Sequence, residues 1–310
     1  MGLELYHPDE ARPAGLAFDL GDPYITGFHH DLTRGLNPAP YWVMEQQAGS
    51  INWGKLNPGV RQGAVRLWTW QALAGGAEAV MYFRWRACLY AQEQYHSGLL
   101  HHDASPDLGY REVLAMLPER AQMAQVAAEP QPAPQVALLS DYDDLWALQM
   151  QPHRQDYSYA RAQFRLYAAL QRLGMPCDIV SPRADLSRYA LVLAPSLMLV
   201  DEAVHANLRA YVQGGGNLVL GTRSGFKTAS NKVTDLPLPG LLRDLAGVTV
   251  SDWHALPPGV GYGLAGATPA GQATFWAERL VPAEGGQPDG SGRPSGRPYE
   301  IATHFTYRDG

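Results

Sequence analysis

Residues 41–53 read YWVMEQQAGSINW and residues 63–85 read GAVRLWTWQALAGGAEAVMYFRW. Tyr41 to Glu45 is a short run of aromatic and β-branched residues behind Asn37, Pro38 and Pro40, the pattern of a buried strand entered from a turn and ending on a carboxylate. From Gly63 to Ala74, the residues Val65, Leu67, Trp68, Ala72 and Leu73 recur at helical spacing, and Gly75-Gly76 supplies the stop. Ala77 to Trp85 then reads as a second buried strand. Strand, helix and strand in this order make a right-handed parallel unit, the repeating element of both open α/β sheets and barrels. The loop Arg86 to Tyr110 follows the second strand and carries Glu93, His96, His101, His102 and Asp103. Loops at the C-terminal ends of parallel strands are where α/β barrels place their chemistry.

Outward from this core, Arg111 to Ala127 is expected to be a helix, and the proline-rich EPQPAP at 129–134 marks a domain boundary. A second α/β pattern follows. Strands are expected at Val136–Ser140, Cys177–Val180, Tyr189–Ala194 and Asn217–Gly221, with helices at Tyr159–Leu173 and Ala203–Gln213, each ended by glycine. That is a small doubly wound sheet. From about Gly247 short β-like runs take over, such as Ala273–Trp276 and Tyr299–Thr303, around a Gly/Pro/Ser tract at Gly285–Pro298 that reads as a flexible loop. The expected organisation is therefore a barrel part at 1–128, an α/β domain at 134–250 and a partial β-rich region at 251–310.

Composition narrows the function classes. The 310 residues exceed a typical single domain of roughly 100–200 residues, and 46% apolar with 17% charged residues is ordinary globular usage. A net charge of −6 without clustered Lys and Arg disfavours a nucleic-acid partner, whose phosphates call for such clusters. Only Cys88 and Cys177 occur, far apart and without a CxxC, so neither structural zinc nor a disulfide framework is expected. The opening MGLELYHPDEAR lacks the apolar run of a signal peptide, and no stretch reaches the roughly 20 apolar residues of a membrane span. A cytoplasmic location is the resulting expectation, with no membrane partner and no cofactor.

Several side chains invite a chemical role, each beside a plainer one. A carboxylate at the end of a buried strand is costly unless solvated, paired or functional, so Glu45 is either a structural ion-pair member or an active group. Trp53, and Trp85 with Arg84 and Arg86, add aromatic and guanidinium groups to the same face, and the indoles are either core aromatics or platforms for the apolar faces of sugar rings. Glu93 and His96, three residues apart, point the same way on a helical turn; they suit hydroxyl binding, a metal site or a solvated loop. His101, His102 and Asp103 lie near but have no recognised metal-ligand spacing. His29, His30 and Asp31 form another polar cluster, which a surface loop explains as well.

Four blocks in order carry a resemblance: Y41-WVMEQQAGSIN-W53, V65-RLWT-W70, Y82-FRW-R86 and Q92-EQYHSGL-L100. The chain resembles the glycoside hydrolase family 42 β-galactosidases, closely over about 15–115 and more loosely over 134 to about 250, where it is similar to that family's trimerisation domain. The implied fold is the C-terminal part of a (β/α)8 TIM barrel, then a flavodoxin/amidotransferase-like doubly wound α/β domain and the start of a small β domain. The resemblance makes Glu45 the nucleophile, maps the family's N-W tryptophan to Trp53, and gives Glu93 and His96 the task of holding galactose hydroxyls. It implies a retaining double displacement on terminal β-D-galactosides, with a second carboxylic acid about 5–5.5 Å from the nucleophile, and a homotrimer.

In that family the acid/base glutamate follows an asparagine, and no Asn-Glu pair occurs in these 310 residues. The expectation is that this half of the barrel lies ahead of residue 1, leaving open strand edges and a fragment carrying half of the site. Two other functions compete with that one. One is a non-catalytic oligomerisation or sugar-binding fragment. The other is an amidotransferase-like enzyme, which needs a nucleophilic cysteine at a strand-to-helix turn, whereas Cys177 opens a strand.

Overall fold

A computed structural model of the chain describes residues 19–37, 39–54, 57–127, 133–263, 272–273 and 275–282. The expected Gly285–Pro298 loop and Tyr299–Thr303 strand, the first residues and most of the proline-rich linker lie outside them. The chain divides into two compact units, Met1–Ala133 and Pro134–Gly310.

The first unit opens on helix α1, Pro23–Leu36. Asp22 caps it by accepting a 2.8 Å hydrogen bond from the Tyr24 N–H, and Pro23 sits where its missing N–H costs nothing. His29, His30 and Asp31 therefore lie on a helix, not on the surface loop expected from sequence. His30 is buried, and its Nδ1 meets the Tyr41 hydroxyl at 2.9 Å. Burial lowers the pKa of this imidazole below its ordinary value.

Strand β1 (Tyr41–Gln47), helix α2 (Ala64–Ala74) and strand β2 (Ala77–Phe83) realise the expected strand–helix–strand unit, and the two strands pair in parallel. The helix starts without a side chain of its own to cap it. Glu112 does this from outside, accepting from the N–H groups of Gly63 (2.5 Å) and Arg66 (2.9 Å). Glu112 belongs to α3 (Leu108–Met116), which is followed by a 3₁₀ turn at Leu117–Glu119 and by α4 (Arg120–Ala127). Sequence periodicity predicts one helix here, Arg111–Ala127. Pro118 divides it, because its ring cannot donate to the helical ladder.

Two expectations for β1 need correction. It does not end on Glu45 but continues to Gln47, and it is not buried: Trp42 is 56% and Met44 67% exposed. Among the described strands β1 pairs with β2 alone.

The second unit is built on four short parallel strands, β3 (Val136–Leu139), β4 (Cys177–Val180), β5 (Leu191–Ala194) and β6 (Asn217–Leu220), in the order β4-β3-β5-β6. The chain leaves β3 toward one side and returns to the other, which is double winding. Its helices are α5 (Tyr142–Met150), α6 (Tyr159–Arg172) and α7 (Glu202–Gln213), and a single helical turn, α8 (Arg243–Ala246), leads into the β-rich part. Ala137, Leu139, Val192, Ala194, Val204 and Leu208 form the centre of one core cluster. The β-rich part comprises β7 (Val248–Ala255), the short pair β8 (Tyr262–Gly263) and β9 (Gln272–Ala273), and β10 (Trp276–Pro282), which pairs antiparallel with β7. Cys177 is buried at the start of β4, paired with Val136, and does not occupy the strand-to-helix turn an amidotransferase nucleophile requires.

Two acids lie in this unit's interior. Asp144 is 1% exposed; its Oδ1 accepts from the Leu199 N–H at 2.7 Å, and its Oδ2 has no hydrogen-bond partner. Burial raises its carboxyl pKa to about 8. Glu278 accepts from the Arg223 N–H at 2.8 Å, and removal from water raises its pKa to about 7. The Arg223 guanidinium lies 4.5 Å from the Trp253 ring centroid and 5.0 Å from that of Trp276.

Candidate active site

Glu45 owes its direction to an irregularity that the sequence pattern hides. The ladder pairs Val43 with Val80 and next pairs Gln46 with Tyr82, so β1 holds one residue more than β2 across this step. Such a bulge breaks the two-residue alternation of side chains. Met44 and Glu45 consequently both face solvent, one after the other. Bulges recur beside active sites for this reason: they re-aim a side chain without ending the strand.

The segments after the two strands are fastened to each other. Ser97 N–H donates to the Ser50 carbonyl (2.8 Å) while Ser50 N–H donates to the Ser97 hydroxyl (3.0 Å), and the Asn52 side chain donates to the Gln92 carbonyl at 2.6 Å. Gly49 lies so close that a Cβ there would come within 2.8 Å of Ser97 Cβ. A Cβ at Gly109 would meet the Ala48 carbonyl oxygen at 2.1 Å, so α3 packs its backbone directly onto the residue after β1. These contacts hold the stretch carrying Trp53 against the loop carrying Glu93 and His96.

Trp53 is 66% exposed, its indole open to a ligand and absent from the core. His96 is 5% exposed, edge-on to Phe83 with ring centroids 5.5 Å apart, and its Nδ1 is buried without a hydrogen-bond partner. An orphaned imidazole nitrogen costs stability unless something supplies a partner. Glu93 and His96 belong to one turn, since the His96 N–H donates to the Glu93 carbonyl at 3.0 Å.

Arg84, which the sequence sets beside Trp85 as a guanidinium group on this face, lies 3.6 Å from the Glu93 carboxylate through Nη1 and also contacts Cys88 Sγ. The pair is partly exposed and contributes orientation more than stability. Its signal in the sequence was the F-R-W-R block itself, where an arginine directly follows a strand.

The histidines further along the loop are engaged separately. His101 Nε2 is 3.3 Å from Asp107, His102 Nε2 meets the Gln94 carbonyl at 2.6 Å, and Asp103 accepts from both the N–H (2.9 Å) and the hydroxyl (2.6 Å) of Ser105. The Ser105 hydrogen bonds hold the Asp103 carboxyl below the usual range. Among the described residues no three His, Cys, Asp or Glu side chains gather as a metal site would require. The residues offer instead a solvated carboxylate, an exposed indole, a second carboxylate steadied by arginine, and a buried imidazole with one unpaired nitrogen.

Comparison with known families matches the fold. The family model described as β-galactosidase trimerisation domain matches residues 134–294, and the one described as β-galactosidase matches residues 9–123. The chain belongs to the glycoside hydrolase family 42 β-galactosidases. The β-galactosidase Bga of Halorubrum lacusprofundi is 45% identical over 248 residues, which are 80% of this chain and 35% of that protein. A β-galactosidase of Thermus thermophilus is 41% identical over 261 residues, 83% of this chain and 40% of its own length. The solved structure of the polyextremophilic β-galactosidase from Halorubrum lacusprofundi superposes with a TM-score of 0.82 at 41% identity, covering 96% of this chain and 44% of that one. That of the psychrophilic Marinomonas ef1 enzyme gives 0.82 at 36% identity, covering 89% and 42%. The chain thus spans well under half the length of the family members it matches, and its fold is that of a partial barrel followed by a doubly wound trimerisation domain. No helix among the described residues is long and apolar enough to cross a membrane.

Proposed function

We propose that the chain carries the nucleophile side of a retaining β-galactosidase site. Glu45 attacks the anomeric carbon of a terminal β-D-galactoside, the Trp53 indole lies against the sugar, and Glu93 and His96 hold its hydroxyls. A double displacement uses no cofactor: the carboxylate forms the glycosyl-enzyme, and a second carboxylic acid protonates the leaving oxygen and then activates water. The observation that carries this reading is the bulge that turns Glu45 to solvent beside segments locked together by the Ser50–Ser97 and Asn52–Gln92 hydrogen bonds. The unit from Pro134 onward is proposed to join copies of the chain into a homotrimer, in keeping with the description of the family model it matches.

A second reading has a specific observation behind it. No Asn-Glu pair occurs in the 310 residues, and the chain spans 35–44% of its relatives, so an acid/base from these residues alone is not assigned. A non-catalytic oligomerising or sugar-binding role is the alternative. Hydrolysis of an activated aryl β-galactoside by the purified chain separates the two, because a good leaving group needs little acid assistance. Turnover that falls by several orders of magnitude in Glu45→Gln supports the enzyme; turnover unaffected by that change moves the nucleophile elsewhere.

A further inference from the structure

The loop from residue 84 to 100 exposes more aromatic surface than holding one galactose needs. Tyr95 is 86% exposed and Tyr90 79%, whereas His96, one residue on, is 5% exposed. A single exposed tyrosine is unremarkable. Here two bracket Glu93 on a backbone held at several points. The Asn52 side chain donates to the Gln92 carbonyl (2.6 Å), the Gln94 side chain to the Ala91 carbonyl (2.7 Å), and the Leu99 N–H to the Arg84 carbonyl (2.7 Å), while His102 Nε2 meets the Gln94 carbonyl (2.6 Å). Rings on a fixed backbone lose little freedom when they bind, which makes them efficient contact surface. Between them stand the exposed, uncharged amides of Gln92 and Gln94. Aromatic faces alternating with amides match the C–H faces and hydroxyl edges of a sugar ring; an obligate protein contact calls for a contiguous apolar centre instead.

We propose that Tyr90 and Tyr95 form a platform for the sugar on the leaving-group side of the bond, so that the chain prefers galactosyl saccharides to galactosides with a small aglycone. The proposal rests on the site reading above, with galactose held by Trp53, Glu93 and His96. The bond between Asn52 and Gln92 supports it by fixing the stretch of Trp53 against the span between the two tyrosines. The galactose site would then hold the terminal sugar and the two tyrosines its neighbour.

The test is a pair of NMR titrations of the full chain carrying Glu45→Gln, which prevents turnover, with lactose and with methyl β-galactoside. The expected result is a Kd for lactose about tenfold below that for methyl β-galactoside, the gain from one or two ring contacts. Adding Tyr90→Ala and Tyr95→Ala is expected to bring the two values together, whereas Tyr142→Ala in the other unit keeps them apart. Equal affinities in the parent, or a ratio that survives loss of both tyrosines, overturns the platform and leaves the galactose site standing. Binding of neither saccharide overturns both.

Discussion

Glu112 shows how much one side chain does here without touching a ligand. Its carboxylate takes two N–H groups at the start of α2, a helix that begins at Gly63 with no cap of its own. Glu112→Ala leaves both donors of the helix start without their acceptor, and we expect it to cost about 1 kcal/mol, read as a lower denaturation midpoint with an unchanged m-value. Glu112→Gln, which keeps acceptor capacity, is expected to cost less. Glu45 is the opposite case. It faces water, so Glu45→Gln is expected to leave the thermal midpoint within a degree or two while abolishing any galactoside turnover, a separation that thermal melts and rate assays on one preparation check.

Among the elements, the bulge in β1 and the close approach of α3 decide where the candidate site residues stand. Gly109→Ala places a Cβ within 2.1 Å of the Ala48 carbonyl oxygen, and neither backbone can yield cheaply. We expect this substitution to lower stability by about 2 kcal/mol or more and to shift the amide resonances of residues 48–53, a result that a ¹⁵N correlation spectrum and a melt would show. The elements also show what could be read in advance. Cys177–Val180 was legible to the residue because Pro176 and Ser181 bound a run with apolar Cys177, Ile179 and Val180. The helix of residues 64–74 was legible from its apolar spacing and its terminal glycines. Helix α1 was not: its two histidines and internal Gly27 weaken the helical pattern, and the tertiary contact of His30 with Tyr41 holds it in place. Helix α5 was missed because Asp143 and Asp144 interrupt the periodicity, although Asp144 turns inward to cap the Leu199 N–H. The bulge leaves no mark in composition at all. YWVMEQQ reads the same whether alternation is kept or broken, so the sequence pointed to Glu45 as a residue but not to the way it is presented. Asn52 and Gln92 were out of reach for the related reason that their partnership joins residues distant along the chain.

At the scale of the whole molecule, two interior acids set how the second unit responds to pH. Asp144 and Glu278 have folded pKa values raised to about 8 and about 7, above the ordinary carboxylate values. A group whose folded pKa is raised binds its proton more tightly in the folded state, so its contribution is fully present at acid pH and is lost as pH climbs through 7 and 8. The thermal midpoint of this unit is therefore expected to fall between pH 5 and pH 9, and Asp144→Asn, which keeps an acceptor for Leu199, is expected to flatten that slope. A midpoint independent of pH over this range would place both acids in ordinary solvation. Self-association belongs to the same scale. Sedimentation of the full chain is expected to return a trimer, and a monomer at micromolar concentration would count against the assembly role proposed for residues 134–294.

The assignment of Glu45 as nucleophile is tested most directly by trapping. The purified chain is incubated with an activated 2-deoxy-2-fluoro-β-galactoside, whose leaving group departs without acid help and whose fluorine slows hydrolysis of the glycosyl-enzyme. Digestion and mass spectrometry then locate the label. We predict one fluorogalactosyl unit on the peptide containing Glu45, absent in Glu45→Gln; a label on any other residue, or an unmodified Glu45 peptide after full exposure, would contradict it.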